Sequence, residues 1–171
     1  MPICRTIGRR ARRGSTIVES ALVLSIFLMF LFGIFEYSRF LMVMHLTNNA
    51  ARDGARYAAV NLSKPSNFTN TDYIDASGNV YPSINNYVTS LMGGMDHNVQ
   101  QPSGQPFSTG ITVTARDQNG NILSGTTWNS ISFPQQVGVS ITGSYQPITP
   151  LLLFMSSSIQ INATASVVSE G

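Results

Sequence analysis

The chain has little charge, one cysteine and two histidines, and each scarcity narrows what it can be. Charged side chains make up 11% of its 171 residues. With Cys4 alone, neither a disulfide framework nor a cysteine-based metal site can form within the chain. No apolar stretch precedes Cys4, which excludes a lipoprotein signal. His45 and His97 lie in different segments and have no ligand spacing around them. There is no Gly-rich phosphate loop, no G-x-S-x-G, no H-E-x-x-H and no constellation of paired carboxylates. Asp72 and Asp75 stand in a polar stretch and read as solvated. The residues give an enzyme nothing to work with, and they imply no metal and no cofactor.

The charge that is present is unevenly placed. Arg5, Arg9, Arg10, Arg12 and Arg13 all precede Gly14. From Ser15 onward five basic side chains face eight acidic ones, a formal charge of −3 where the whole chain has +2. Nucleic-acid binding, which needs basic residues clustered on a folded surface, loses its support.

Behind the leader comes a long apolar run. Ile17 to Phe35 contains a single charge, Glu19, and is followed by Glu36-Tyr37-Ser38-Arg39. About 20 helical residues span the ~30 Å hydrocarbon core, so the run is long enough to cross a membrane. The preceding arginines would stay cytoplasmic by the positive-inside rule, which places the C-terminal body outside. A cleaved secretory signal is the plainer rival, but its core should be shorter and end at a small-residue site, which Phe35-Glu36-Tyr37-Ser38-Arg39 does not supply. A carboxylate near the membrane centre costs about 2.5–3.5 kcal/mol on insertion scales, so Glu19 is a functional candidate by default.

The helical pattern outlasts the membrane. Leu41 to Val60 contains no proline and is rich in alanine, and Pro65 closes the segment. A helix over 15–60 would be about 70 Å long. Ala51, Gly54, Ala55 and Ala58 form a small-residue stripe, which either admits the close approach of another backbone or is simply good helix-forming sequence. Residues 61–82 read as an irregular connection. Apolar positions 84, 87, 88 and 91 predict a short amphipathic helix closed by Gly93-Gly94. Alternation then predicts strands at 111–115, 137–145 and 159–167, with Asn119-Gly120 as a hairpin turn before Asn121-Ile122-Leu123. Trp128 reads as core or strand packing. A proline-bounded apolar loop, Gln146 to Met155, separates the last two strands. The expected fold class is α+β, with a long N-terminal transmembrane helix extending into a domain with a small antiparallel sheet. It divides into a leader (1–14), the extended helix (15–60) and an extracytoplasmic domain (61–171).

The short basic leader, Gly14, four residues and then Glu19 inside an apolar helix resemble a type IV prepilin. Three further stretches narrow the resemblance to the TadE-like pseudopilins of Tad (Flp) pilus systems: Glu19 to Leu24, Phe32 to Arg39, and Leu46 to Ala58. The C-terminal pattern Val139-Ser140-Ile141, Tyr145-Gln146-Pro147, Pro150-Leu151-Leu152 and Ile159 to Ala165 resembles that family as well. One departure is Ser20, where TadE-like chains often have phenylalanine. The resemblance implies cleavage by a prepilin peptidase between Gly14 and Ser15, with Glu19 setting the register of one helix against the next. A new amine at Ser15 would give the Glu19 carboxylate an opposite charge in a low-dielectric bundle.

The resemblance further implies a non-catalytic minor pseudopilin needed for assembly or initiation of Flp pili, and so for adhesion. Its partners would be the prepilin peptidase, a companion TadF-like pseudopilin, the major Flp pilin, the inner-membrane assembly platform and membrane lipid. Glu36, Arg39, Asn48, Asn49, Arg52, Gly54, Ala55 and Arg56 belong to the family-like helix as assembly candidates. Arg52 and Arg56 are like charges one turn apart, and Asp53 can answer one of them. An acidic or carbonyl partner is expected to answer the other. Two rival readings stand beside this one. The first is an uncleaved, membrane-anchored extracytoplasmic binding module; the second is a displayed binding or enzymatic domain with its site in residues 61–130.

Overall fold

The computed structural model describes residues 12–93, 99–100, 110–148 and 157–169, with side chains described from Thr16 onward except at 99–100. The leader residues 1–11 and most of the apolar loop, 149–156, lie outside the described residues.

One helix, α1, runs unbroken from Arg12 to Val60, about 74 Å at 1.5 Å per residue. Its end is built locally. Asn61 donates its side-chain amide to Tyr57 O (2.8 Å), and its backbone N–H bonds Ala58 O (3.1 Å), satisfying carbonyls of the last turn before Pro65. A second helix, α2, spans Ile84–Leu91, capped by Ser83, whose hydroxyl accepts the Asn86 N–H. Gly93 beyond its C-terminus adopts φ +58°, a left-handed position suited to glycine.

The segment 61–82 is more ordered than expected. It contains a 3-10 turn, Ser66–Thr69, and a hairpin of β1 (Tyr73–Ile74) and β2 (Val80–Tyr81). Polar residues that read as loop formers are here turn formers. Asp75 accepts the backbone N–H groups of Ser77 and Asn79 (2.8 Å each), and Gly78 takes φ +86°. Lys64 Nζ sits 4.0 and 4.1 Å from the centres of the Tyr73 and Tyr81 rings and clamps the hairpin.

The main sheet contains β3 (Val99–Gln100), β4 (Ile111–Arg116), β5 (Gln136–Tyr145) and β6 (Ile159–Val168), all antiparallel. β5 is the centre: β3 and β4 pair along one side of it, β6 along the other. The strand expected after the Asn119-Gly120 turn shrinks to a single bridge between Arg116 and Ile122. Val137, Val139, Ile141 and Tyr145 of β5 point into the core, and so do Ile111, Ala115, Ile161 and Ala163. Thr112, Thr142, Gln160, Asn162 and Thr164 lie exposed on the opposite face.

The small-residue stripe is a packing surface. Ala50, Ala51, Ala55 and Ala58 are buried against the sheet and α2. A methyl group added at Gly54 would stand 2.5 Å from Val88 Cγ2, so that position admits only glycine at this spacing. Trp128, in a 3-10 turn at Trp128–Ser130, is buried and donates Nε1–H to Ser66 O (3.2 Å), joining the connection to the sheet. The architecture is α+β, as the sequence patterns predict.

Candidate functional site

The candidate site is α1 itself together with its junction to the sheet. From Thr16 to Phe35 no side chain is buried, and Ile17, Leu22, Phe27, Phe30, Ile34 and Phe35 are widely exposed. Such a continuous apolar surface is not that of a helix in water; by length and composition it can cross a membrane. The hydroxyls within it are satisfied inside the helix: Ser20 donates to Thr16 O (2.8 Å) and Ser25 to Ala21 O (2.9 Å). Glu19 is exposed on this segment and meets no partner among the described residues. Gly14 and Ser15 fall in the first turn of α1.

About 25 Å further along the helix, Glu36 marks the change of environment. It is only 5% exposed. Its Oε1 accepts the Tyr145 hydroxyl (2.6 Å) and the Ile148 N–H (3.2 Å), and Arg39 one turn on approaches it at 3.6 Å. The Arg39 guanidinium stands 5.6 Å from the Tyr145 ring centre, and Phe40 meets that ring edge-on at 5.5 Å. Burial first, and the bond to Glu36 second, push the Tyr145 hydroxyl up to about 12. The arrangement pins the end of β5 to the helix just beyond Phe35.

Above the junction α1 shows two faces. Gly54 and Ala55 are inside, while Arg52 and Arg56 are outside. Arg56 pairs with Asp53 at 3.6 Å on an exposed surface, an interaction worth at most about 1 kcal/mol. The partner expected for Arg52 is absent among the described residues. Asn48 bonds back to Met44 O (2.9 Å), and Asn49 is exposed. Asp72 lies in solvent as expected, yet it accepts the Ser83 N–H (2.6 Å) and Asn86 Nδ2–H (2.8 Å) at the start of α2. These bonds, the Ser83 backbone first, hold its carboxyl below the usual range.

The helix and its continuation match a known family model, that of the TadE-like proteins, over residues 14–56. The chain carries a TadE-like segment. The family is associated with Tad pili, and its members are pseudopilins of that system. The match covers the apolar surface, Glu19, the Glu36–Arg39 pair and the buried Gly54 and Ala55. The sheet domain beyond residue 56 lies outside it. No curated protein and no solved structure matches the chain. A single long apolar N-terminal helix that carries a TadE-like segment fits a single-pass membrane protein of a pilus system.

Sequence reasoning missed the reach of Glu36 to Tyr145, 109 residues away. One signal was present: alternation along β5 puts Tyr145 on the core face with Val139 and Ile141, so a buried hydroxyl there needs an acceptor. Among the described residues no group of three or more His, Cys, Asp or Glu stands together.

Proposed function

We propose that this chain is a non-catalytic minor pseudopilin that serves assembly or initiation of Tad (Flp) type IVb pili, and through them surface attachment. In this reading a prepilin peptidase removes residues 1–14 between Gly14 and Ser15, and the protein resides in the bacterial inner membrane with its sheet domain in the periplasm. The major Flp pilin, a TadF-like companion and the inner-membrane platform are its partners.

One observation carries the reading. A single helix bears a lipid-type surface with an exposed carboxylate at Glu19 that has no partner among the described residues, and the same helix continues as the spine of the outer domain. A mere tether gains nothing from either feature. A carboxylate with no partner among the described residues, inside an apolar segment, is satisfied most simply by a neighbour's new terminal amine.

The test is the intact mass of the protein extracted from membranes of cells that carry the cognate peptidase, paired with a count of pili in Glu19→Ala cells. Loss of Met1–Gly14 and pili reduced despite normal cleavage are expected. A retained leader, or normal pilus number in Glu19→Ala cells, would overturn the reading and favour a permanently anchored binding module.

A further inference from the structure

Among the described residues the sheet has two outer edges, and they differ in how much backbone they leave unpaired. Thr142 N–H donates to Gly110 O (3.0 Å) and Ser169 N–H to Gln135 O (2.9 Å). Even-numbered residues of β5 therefore bond β4, and odd-numbered ones bond β6. On β4 the outward peptide groups belong to Ile111, Val113 and Ala115, and Leu123 N–H already takes the Ala115 carbonyl (2.9 Å). On β6 they belong to Gln160, Asn162, Thr164, Ser166 and Val168, with no partner among the described residues. That edge is ten residues in unbroken register, about 33 Å long. It has no charge, no proline and no bulge, the usual devices that blunt an exposed edge.

We propose that the outer edge of β6 docks an extended strand of a second, different polypeptide that stands beside this chain in the same membrane. Recognition is main-chain hydrogen bonding by strand addition. The uncharged row Gln160, Asn162, Thr164 and Ser166 favours a partner strand that is itself uncharged on that face. The proposal rests on the reading of the chain as a subunit of a membrane-bound assembly.

Geometry disfavours a second copy as the occupant. β6 starts beside Tyr145 and the Glu36 junction and ends beside Val60, so it runs in the direction of α1. An antiparallel β6–β6 pair would point the two anchors in opposite directions. A parallel pair needs outward residues of one strand opposite inward residues of the other; a twofold axis, which sets each residue opposite itself, cannot supply that. The β4 edge of a second copy offers only Ile111 and Val113, along a groove of about 680 Å³ walled by Thr69, Asn70, Asn85 and Asn86.

The test places a photo-crosslinking amino acid at Thr164 of the full chain, in cells that make its natural partners. An adduct to one different membrane-anchored chain is expected. It should fall roughly tenfold with Asn162→Pro, the loss of one well-formed hydrogen bond, and persist with Asn162→Ala. Proline at an edge position whose N–H faces out spares the β5 ladder, and an unchanged melting temperature verifies this. If Asn162→Pro lowers that temperature, Asn162→Lys blocks the edge through the side chain alone. The proposal is overturned by adducts only between copies of this chain. It is equally overturned by an adduct indifferent to both blocking variants, or by none above the level from exposed Gln118. Pili are counted in the same cells. A Glu19→Ala strain with normal pili and the expected adduct removes the assembly reading and leaves the edge site standing; the reverse pattern removes the edge site alone.

Discussion

The two halves of α1 share one backbone and have opposite rules for what goes inside. From Thr16 to Phe35 the bulky apolar side chains are on the outside and none is buried. From Glu36 to Val60 the buried positions are taken mainly by small residues: Ala50, Ala51, Gly54, Ala55 and Ala58. The difference follows from the two surroundings. Hydrocarbon accepts large apolar groups at any angle, whereas a sheet and a second helix can approach a helix axis closely only where side chains are small. Hydrophobicity reports where a segment lives, and side-chain size reports what it touches.

The largest effect that would test this contrast is overpacking of the outer half. Ala55 is fully buried, and Ala55→Leu forces extra carbons into the helix–sheet interface. A loss of about 3 kcal/mol is expected, enough to unfold a marginal domain, while Leu28→Ala in the exposed apolar half leaves domain stability within about 0.5 kcal/mol. Thermal unfolding of the detergent-extracted full chain, followed by circular dichroism, measures both. Similar losses for the two variants would break the comparison.

The two carboxylates give a sharper version of moderate size. Glu36→Ala strips the buried Tyr145 hydroxyl and the Ile148 N–H of their acceptor, an expected cost of about 2 kcal/mol. Glu19→Ala removes no hydrogen bond or ion pair among the described residues and should leave the urea midpoint of the domain unchanged. If Glu19→Ala shifts that midpoint as far as Glu36→Ala does, the division of roles between the halves is wrong.

The smallest effect appears at high pH. The Tyr145 hydroxyl titrates near 12 when folded, against 10 for an ordinary tyrosine, so the unfolded chain releases this proton first. Its contribution to stability is whole below pH 10 and is lost as the pH rises from 10 to 12. Tyr145→Phe should therefore be less stable than the parent at pH 8 and lose less of its stability between pH 10 and 12. Parallel alkaline melting curves for the two proteins would show that the junction does not titrate in this way.

Much of the fold was legible in the sequence because its signals were local. The absence of proline carried α1 to Val60, and the spacing at 84, 87, 88 and 91 marked α2. Alternation located β4, β5 and β6 to within a residue or so. The β1–β2 hairpin was not legible, since two-residue strands leave no period to read and its stability comes from Asp75 and the Lys64 clamp. In the candidate site, Glu19, Glu36 and Arg39 could be picked out as charges beside apolar sequence. What answers them could not: Glu36 meets Tyr145 from a strand 109 residues away, and Arg52 faces outward and lacks, among the described residues, the partner that its like-charged neighbour suggested.

The amino-acid sequence by itself determined that there is one long apolar helix, that the basic charge lies ahead of it, and that polar and apolar residues alternate in the strands that follow. These are properties of consecutive residues and their spacing. Only the tertiary structure decided which face of that helix turns inward, where a carboxylate becomes buried, and which strand edge of the sheet has no partner among the described residues. Those depend on which distant segments meet, and the meeting is governed by close packing at Gly54 and Ala55 and by the hydrogen-bond parity of β5, neither of which any single segment contains.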